Sequence, residues 1–279
     1  MLRWLAATTA AILCACGAAP PACPMVPAAA PGAPLLWRVE RGAGVVWLYG
    51  TIHDAGADDV PPAVWQRLDA APRFASELGG DAPEPAQLTA LARLPWGRVL
   101  DAMLPADDWW ELVDAMLGAM TEDQLRHARP WFALVRLRTH MANPPKPSMD
   151  DALAARAGQR GIPVDALESW RDQLTALDAA VGARELSQAI HTRKAVACEI
   201  ARLRAAYRAS DLPALTAMLL EPQRGDPLLV ERNRRWLAQI ESYLTGDGGF
   251  VAVGLGHLLG DDGLPALLAR GGAHVTREL

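Results

Sequence analysis

Apolar and polar positions change period several times beyond residue 34, and each change predicts an element. Leu35–Val39 and Val45–Tyr49 are short apolar, β-branched runs separated by Glu40-Arg41-Gly42-Ala43-Gly44, which predicts an N-terminal β-hairpin with a glycine-rich loop. The second run leads straight into Gly50-Thr51-Ile52-His53. Pro61–Ala71 reads as a helix with proline in its first turn, and a brief strand, Arg73–Ser76, ends at Glu77. The middle of the chain is largely helical. Thr121-Glu122-Asp123-Gln124 has capping-box spacing, Leu125, Pro130–Leu137 and Met141 continue an apolar face, and Pro144, Pro145 and Pro147 end it. Asp150–Gly161 predicts a helix that exits at glycine into a strand, Ile162–Leu167, finishing at Glu168. Amphipathic helices are expected across Trp170–Val181, Arg184–Ser210 and Asp226–Leu244. A buried strand, Phe250–Val253, then meets Gly254-Leu255-Gly256-His257, a helix to Arg270 and a terminal strand, Ala273–Arg277.

No linker or tandem repeat interrupts residues 35–279. The expected fold is therefore α/β: a single compact domain with a central mixed sheet, the N-terminal hairpin and a large helical insertion. The 51% hydrophobic content is enough for a substantial core. Lys and Arg number 27 against 32 Asp and Glu, a formal charge of -5, so no broad basic surface exists for a phosphate backbone and nucleic acid is not an expected partner.

Residues before 35 read differently. Arg3 precedes an apolar run, Trp4–Cys16, which reads as a secretion signal over residues 1–15. Leu13-Cys14-Ala15-Cys16 has the form of a lipobox, with Cys16 as the lipidated residue; plain cleavage near Ala18 or Ala19 is the alternative. Residues 16–34 form an alanine- and proline-rich tether. The expected location is the bacterial periplasm, as an outer-membrane-anchored lipoprotein touching the membrane through its lipid. In that oxidising compartment Cys23 and Cys198 either form a bridge or remain as two thiols.

Four expected strands end in a residue suited to holding a metal or moving a proton: His53, Glu77, Glu168 and His257. Ligands of open α/β sheets bind at the carboxyl ends of strands. Two of these ends share a Gly-x-x-His pattern, Gly50 to His53 and Gly254 to His257, in which glycine permits a sharp exit from a buried strand. Imidazoles with carboxylates suit manganese, cobalt or zinc, and such a metal would favour hydrolysis. The remaining histidines, His127, His140, His191 and His274, have no partner pattern and read as structural or exposed. Asp58-Asp59, Asp107-Asp108 and Asp261-Asp262 read as helix N-terminal acids or solvated pairs. No His-Glu-x-x-His, Gly-x-Ser-x-Gly or Cys-x-x-Cys is present.

The chain resembles the TraB/GumN family, related to the Tiki metalloproteases and more distantly to erythromycin-esterase-like and ChaN-like proteins. The stretches that carry the resemblance are Leu48-Tyr49-Gly50-Thr51-Ile52-His53, Ser76-Glu77-Leu78, Met149-Asp150, Gly161 to Glu168, Glu231-Arg232-Asn233 and Val253 to Leu258. The resemblance implies metal-dependent hydrolysis of peptide or amide bonds. It makes His53, Glu77 and His257 metal-binding and catalytic positions. Glu168 follows as the second carboxylate, and Arg232 and Asn233 as residues that bind substrate or support the metal-binding residues. The peptidase activity is implied through the Tiki branch alone, and Asp54 stands where many relatives have a small or apolar residue. Two other functions remain open: a non-catalytic envelope protein that binds peptide or glycan in the same cleft, and an esterase-like hydrolase that uses a histidine base without metal.

Overall fold

The fold was analysed in a computed structural model that describes residues 23, 34–78, 83–220 and 227–278. The expected signal, the lipidation site Cys16 and all of the tether except Cys23 and Pro34 lie outside the described residues. Cys23 is joined to Cys198 by a disulfide.

The hairpin pairs β1 (Leu36–Arg41) with β2 (Gly44–Thr51) in antiparallel register, Leu36 opposite Tyr49. Its loop is tighter than the sequence suggests. Only Gly42 and Ala43 lie between the strands, because Gly42 takes the left-handed conformation (φ +61°) that a two-residue turn needs. Helix α1 (Pro62–Asp69) then crosses to β3 (Phe74–Leu78). The insertion follows as α2 (Pro85–Leu91), α3 (Ala106–Ala115), α4 (Glu122–Arg126) and α5 (Pro130–Ala142). Next come α6 (Met149–Gln159) and β4 (Val164–Glu168), then α7 (Trp170–Ala180), α8 (Ala183–Thr192), α9 (Val196–Arg208), α10 (Leu212–Leu219) and α11 (Pro227–Thr245). The chain finishes with β5 (Gly249–Gly254), α12 (Leu264–Arg270) and β6 (His274–Arg277).

The six strands form one mixed sheet in the order β4-β3-β5-β2-β1-β6. Four neighbours, β4, β3, β5 and β2, run parallel, while β1 is antiparallel to β2 and to β6. The parallel register sets Thr51 beside Gly254 and Leu78 beside Glu168, so all four carboxyl ends open on one edge. The core lies against the sheet, where Phe250 sits between Tyr49 and Phe74 with ring centroids 6.2 Å from each. The insertion has its own apolar cluster, including Leu100, Trp109, Leu112, Leu125, Leu137 and Ile190.

Several expectations about single elements are corrected by packing. The continuous helix expected over Arg184–Ser210 is broken by a 3-10 turn, Arg193–Ala195, into α8 and α9. The break lets Leu186 and Ile190 pack into the insertion while Leu203 and Tyr207 pack under the main sheet. The helix expected to run from His257 to Arg270 is instead a 3-10 turn, Leu255–Leu258, followed by a gap closed by Gly260 (φ +72°) and then α12. Asp59 and Asp108 are first-turn acids, one of the two readings the sequence offered, and they are not solvated. Asp59 is buried under Arg204 and Arg208, and Asp108 is buried where Ser187 donates to it and His191 lies 2.8 Å away, tying α3 to α8. The Thr121 to Gln124 capping box forms as its spacing predicts, with bonds of 3.2 and 2.9 Å.

Truncating Phe250 to alanine should remove the ring that joins β2 and β3 through β5. Urea unfolding is expected to show a loss of about 3–5 kcal/mol, whereas Trp96→Ala, at a fully exposed position, should change little.

Candidate functional site

The carboxyl edge of the sheet gathers the residues that the sequence singles out. Glu77 leaves the end of β3, and its Oε1 accepts from the Gly254 N–H at 2.6 Å. This contact gives the glycine at the end of β5 a reason: a Cβ on Gly254 would lie 3.1 Å from that same oxygen. Glu77 Oε2 accepts from Arg232 Nη2 at 2.7 Å. Glu168, at the end of β4, accepts from Arg232 with both oxygens, Oε1 at 2.6 Å from Nη2 and Oε2 at 3.0 Å from Nε. Arg232 thus stands between two carboxylates on adjacent strands. Its guanidinium also lies 4.8 Å from the Trp236 ring, one helical turn along α11.

His257 sits in the 3-10 turn after β5 and is buried. Its Nδ1 lies 2.7 Å from Asn233 Oδ1. Asn233 donates its own amide hydrogens to the His257 carbonyl at 3.3 Å and the Asp262 carbonyl at 2.8 Å, so Oδ1 is the acceptor and the ring proton is on Nδ1. The Nε2 lone pair therefore faces Arg232 Nη1 at 3.3 Å and Glu77 Oε1 at 3.7 Å. Burial is the main reason the His257 pKa falls, to about 4, with Arg232 opposing protonation further; the ring is neutral at pH 7. Burial by itself would raise the Glu77 pKa. The Arg232 guanidinium, the protonated His53 and the Gly254 N–H hold its carboxyl well below the ordinary range.

His53 occupies the open side of the edge, with its side chain 75% exposed. Asp150, in the first turn of α6, holds its Nδ1 at 3.0 Å through Oδ2 and accepts from Thr51 Oγ1 at 2.6 Å through Oδ1. The hydrogen bond to Asp150 is the largest influence on the ring and raises its pKa to about 9, with the charges of Asp150, Glu77 and Asp54 acting in the same direction. His53 is coupled electrostatically to both Glu77 and His257.

Every site residue read from the sequence in the folded part lies at this edge, but in unequal roles. Glu77 and His257 approach each other, and His53 stands apart, held outward by Asp150. Among the described residues no three His, Cys, Asp or Glu side chains form a ready ligand set, and Arg232 sits between Glu77 and Glu168. Arg232 and Asn233 are buried and serve the acids and the imidazole rather than solvent. Glu168 does not cap the next helix; Ser169 does, accepting from Asp172 N. Asp150 and Trp236 are the residues that sequence reasoning missed. A signal for Asp150 was present: Ser148 and Asp151 complete the capping box of α6, which leaves the adjacent acid free for another partner.

A family model described as the TraB/PrgY/gumN family matches residues 35–277. Comparison with curated proteins and with solved structures gives no significant match. The match spans the whole sheet and every residue of the edge, from His53 to His257, and the chain belongs to the TraB/PrgY/gumN family.

Proposed function

We propose that this protein is an exported metal-dependent hydrolase of peptide or amide bonds, with His53, Glu77 and His257 as the residues that would hold the metal. One observation carries the reading. Two histidines from opposite ends of the domain each have Nδ1 fixed by an acceptor, Asp150 or Asn233; Nε2 of His53 is then left for a ligand, while Nε2 of His257, which Arg232 Nη1 contacts at 3.3 Å, would give up that contact to bind one. The donor chemistry fits a divalent transition ion. Glu77 and Glu168 share the Arg232 guanidinium, with Arg235 3.9 Å from Glu168, and Asp150 pairs with His53, so three carboxylates stand against two guanidiniums when both rings are neutral. A metal bound there would acidify a water molecule and polarise the scissile carbonyl.

The chain's own residues supply orientation and access. Arg232 bridges Glu77 and Glu168, helps to keep Glu77 ionised and holds its carboxylate beside His257. Asn233 fixes the His257 tautomer, and Asp150 does the same for His53. The His257 side is closed by Trp236, whose ring lies 4.5 Å from the imidazole, so substrate approaches from the His53 side. The Cys23–Cys198 disulfide supports export to an oxidising compartment, where lipid on Cys16 would anchor the protein. No helix among the described residues is long and apolar enough to cross a membrane. The exposed His53–Asp150 pair also supports a metal-free reading in which His53 is a base for ester hydrolysis.

Purified protein loaded with manganese, cobalt or zinc should retain metal and cleave members of a diverse peptide library. His53→Ala should lose both. Retention of full turnover in the presence of chelator would favour the metal-free reading, and the absence of any bound metal would overturn the proposal.

Only the neutral imidazole of His53 can ligate, so cobalt affinity measured by calorimetry should rise with pH until about 9, where the metal-free ring has lost its proton. In Asp150→Asn the rise should level off at lower pH, near the ordinary histidine value of 6.5.

Arg232→Met would leave Glu77 and Glu168 buried without their partner. Chemical denaturation should then report a loss of about 3–5 kcal/mol at neutral pH. A smaller loss at acid pH is expected, because the part of the stability that comes from the lowered pKa of Glu77 is lost there in the unmutated protein as well.

A further inference from the structure

The first glycine of each Gly-x-x-His motif gives a backbone polar group to a side chain from another element. For Gly254 the partner is Glu77. For Gly50 the partner is Tyr207 on α9, whose hydroxyl donates to the Gly50 carbonyl at 2.6 Å. Tyr207 is buried, and its hydroxyl also lies 2.8 Å from that of Tyr49. A phenol has one proton. With the Tyr207 proton on the carbonyl, Tyr49 donates in turn to the Tyr207 oxygen, and burial keeps both phenols neutral.

Gly50 is held through its backbone alone. A Cβ there would lie 2.5 Å from Leu255 Cδ1, so the position has no side chain with which to anchor itself. Its N–H is already used by the Leu35 carbonyl at 2.9 Å. Beyond Thr51 the chain leaves the sheet, and α9 grips it again at Asp59. There Arg204 Nη2 donates to Oδ2 at 3.1 Å and Arg208 Nε to Oδ1 at 2.5 Å. The same carboxylate caps Gly56 N at 3.1 Å. Arg204, Tyr207 and Arg208 share one face of α9 at helical spacing. That single face holds the His53 segment three residues before and six residues after the histidine.

We propose that Tyr207 is a positioning residue of the site: its hydroxyl fixes the Gly50 carbonyl and, together with the grip of α9 on Asp59, sets where His53 meets Asp150. The catalytic consequence rests on the hydrolase reading, whereas the geometric one does not. Tyr207→Phe removes the hydroxyl and keeps the ring. Long-range proton–nitrogen NMR of the metal-free protein reads the His53–Asp150 bond directly, with the Nδ1 of His257, held by Asn233, as an internal reference. In Tyr207→Phe the His53 nitrogen shifts should move toward those of a free ring while the His257 shifts stay fixed. With cobalt and a cleaved peptide in hand, kcat should fall on the order of tenfold with KM nearly unchanged. Tyr49→Phe deletes a hydroxyl from the same buried cluster without touching Gly50. It should lower the melting temperature comparably and leave the His53 signature intact.

Unchanged His53 shifts in Tyr207→Phe, or equal changes in Tyr49→Phe, would overturn the proposal. If the wild-type protein binds no metal and cleaves no peptide, the hydrolase reading fails, and the NMR comparison still decides the positioning role. If Tyr207→Phe does not fold, Asp59→Asn weakens the second grip and is expected to shift the same His53 signals; no shift there would count against the proposal.

Discussion

Two carboxylates at the ends of adjacent parallel strands would repel one another in a site closed to water, and one of them would take up a proton. Arg232 prevents this. Its planar fork meets Glu168 with two nitrogens and Glu77 with one, a geometry that a lysine ammonium could not reproduce. The remaining nitrogen faces His257 Nε2 and disfavours a proton there, adding to the larger effect of burial, while the same guanidinium favours the charged form of Glu77. Trp236, one turn further along α11, covers both the guanidinium and the imidazole and keeps this arrangement away from solvent.

The edge is consequently divided into two halves of opposite character. Glu77, Glu168, Arg232, Asn233 and His257 form a buried half in which nearly every polar atom has a partner and little can move. His53 and Asp150 form an open half in which one ring nitrogen is held and the other faces outward. A rigid electrostatic base beside an accessible imidazole is a sound arrangement for chemistry, because the reacting partner enters a field that is already organised.

The two Gly-x-x-His motifs look alike in sequence and are used differently. At Gly254 the missing side chain makes room for a carboxylate to reach a backbone N–H. At Gly50 it makes room for Leu255, and the carbonyl is taken by a tyrosine from α9. In both cases a backbone group near the end of a strand, three residues before the histidine, is taken by a side chain from another element.

Much of this was legible in the chain before folding. Changes of hydrophobic period located the hairpin, the crossover units and the strand-end residues His53, Glu77, Glu168 and His257, since strands and helices write their own spacing into the sequence. The inward face of α11 was also readable in principle. Arg232, Trp236 and Ile240 recur every four residues and are buried, while Arg234 and Arg235 between them are exposed. The sequence could not reveal that Asp150 meets His53 across 97 positions, or that Tyr207 reaches Gly50 across 157. Nor could it show that one helix must break at Arg193 to serve two cores. Local periodicity reports which face of an element is apolar. Strand register and helix packing, which depend on the whole core at once, decide which polar groups then face each other.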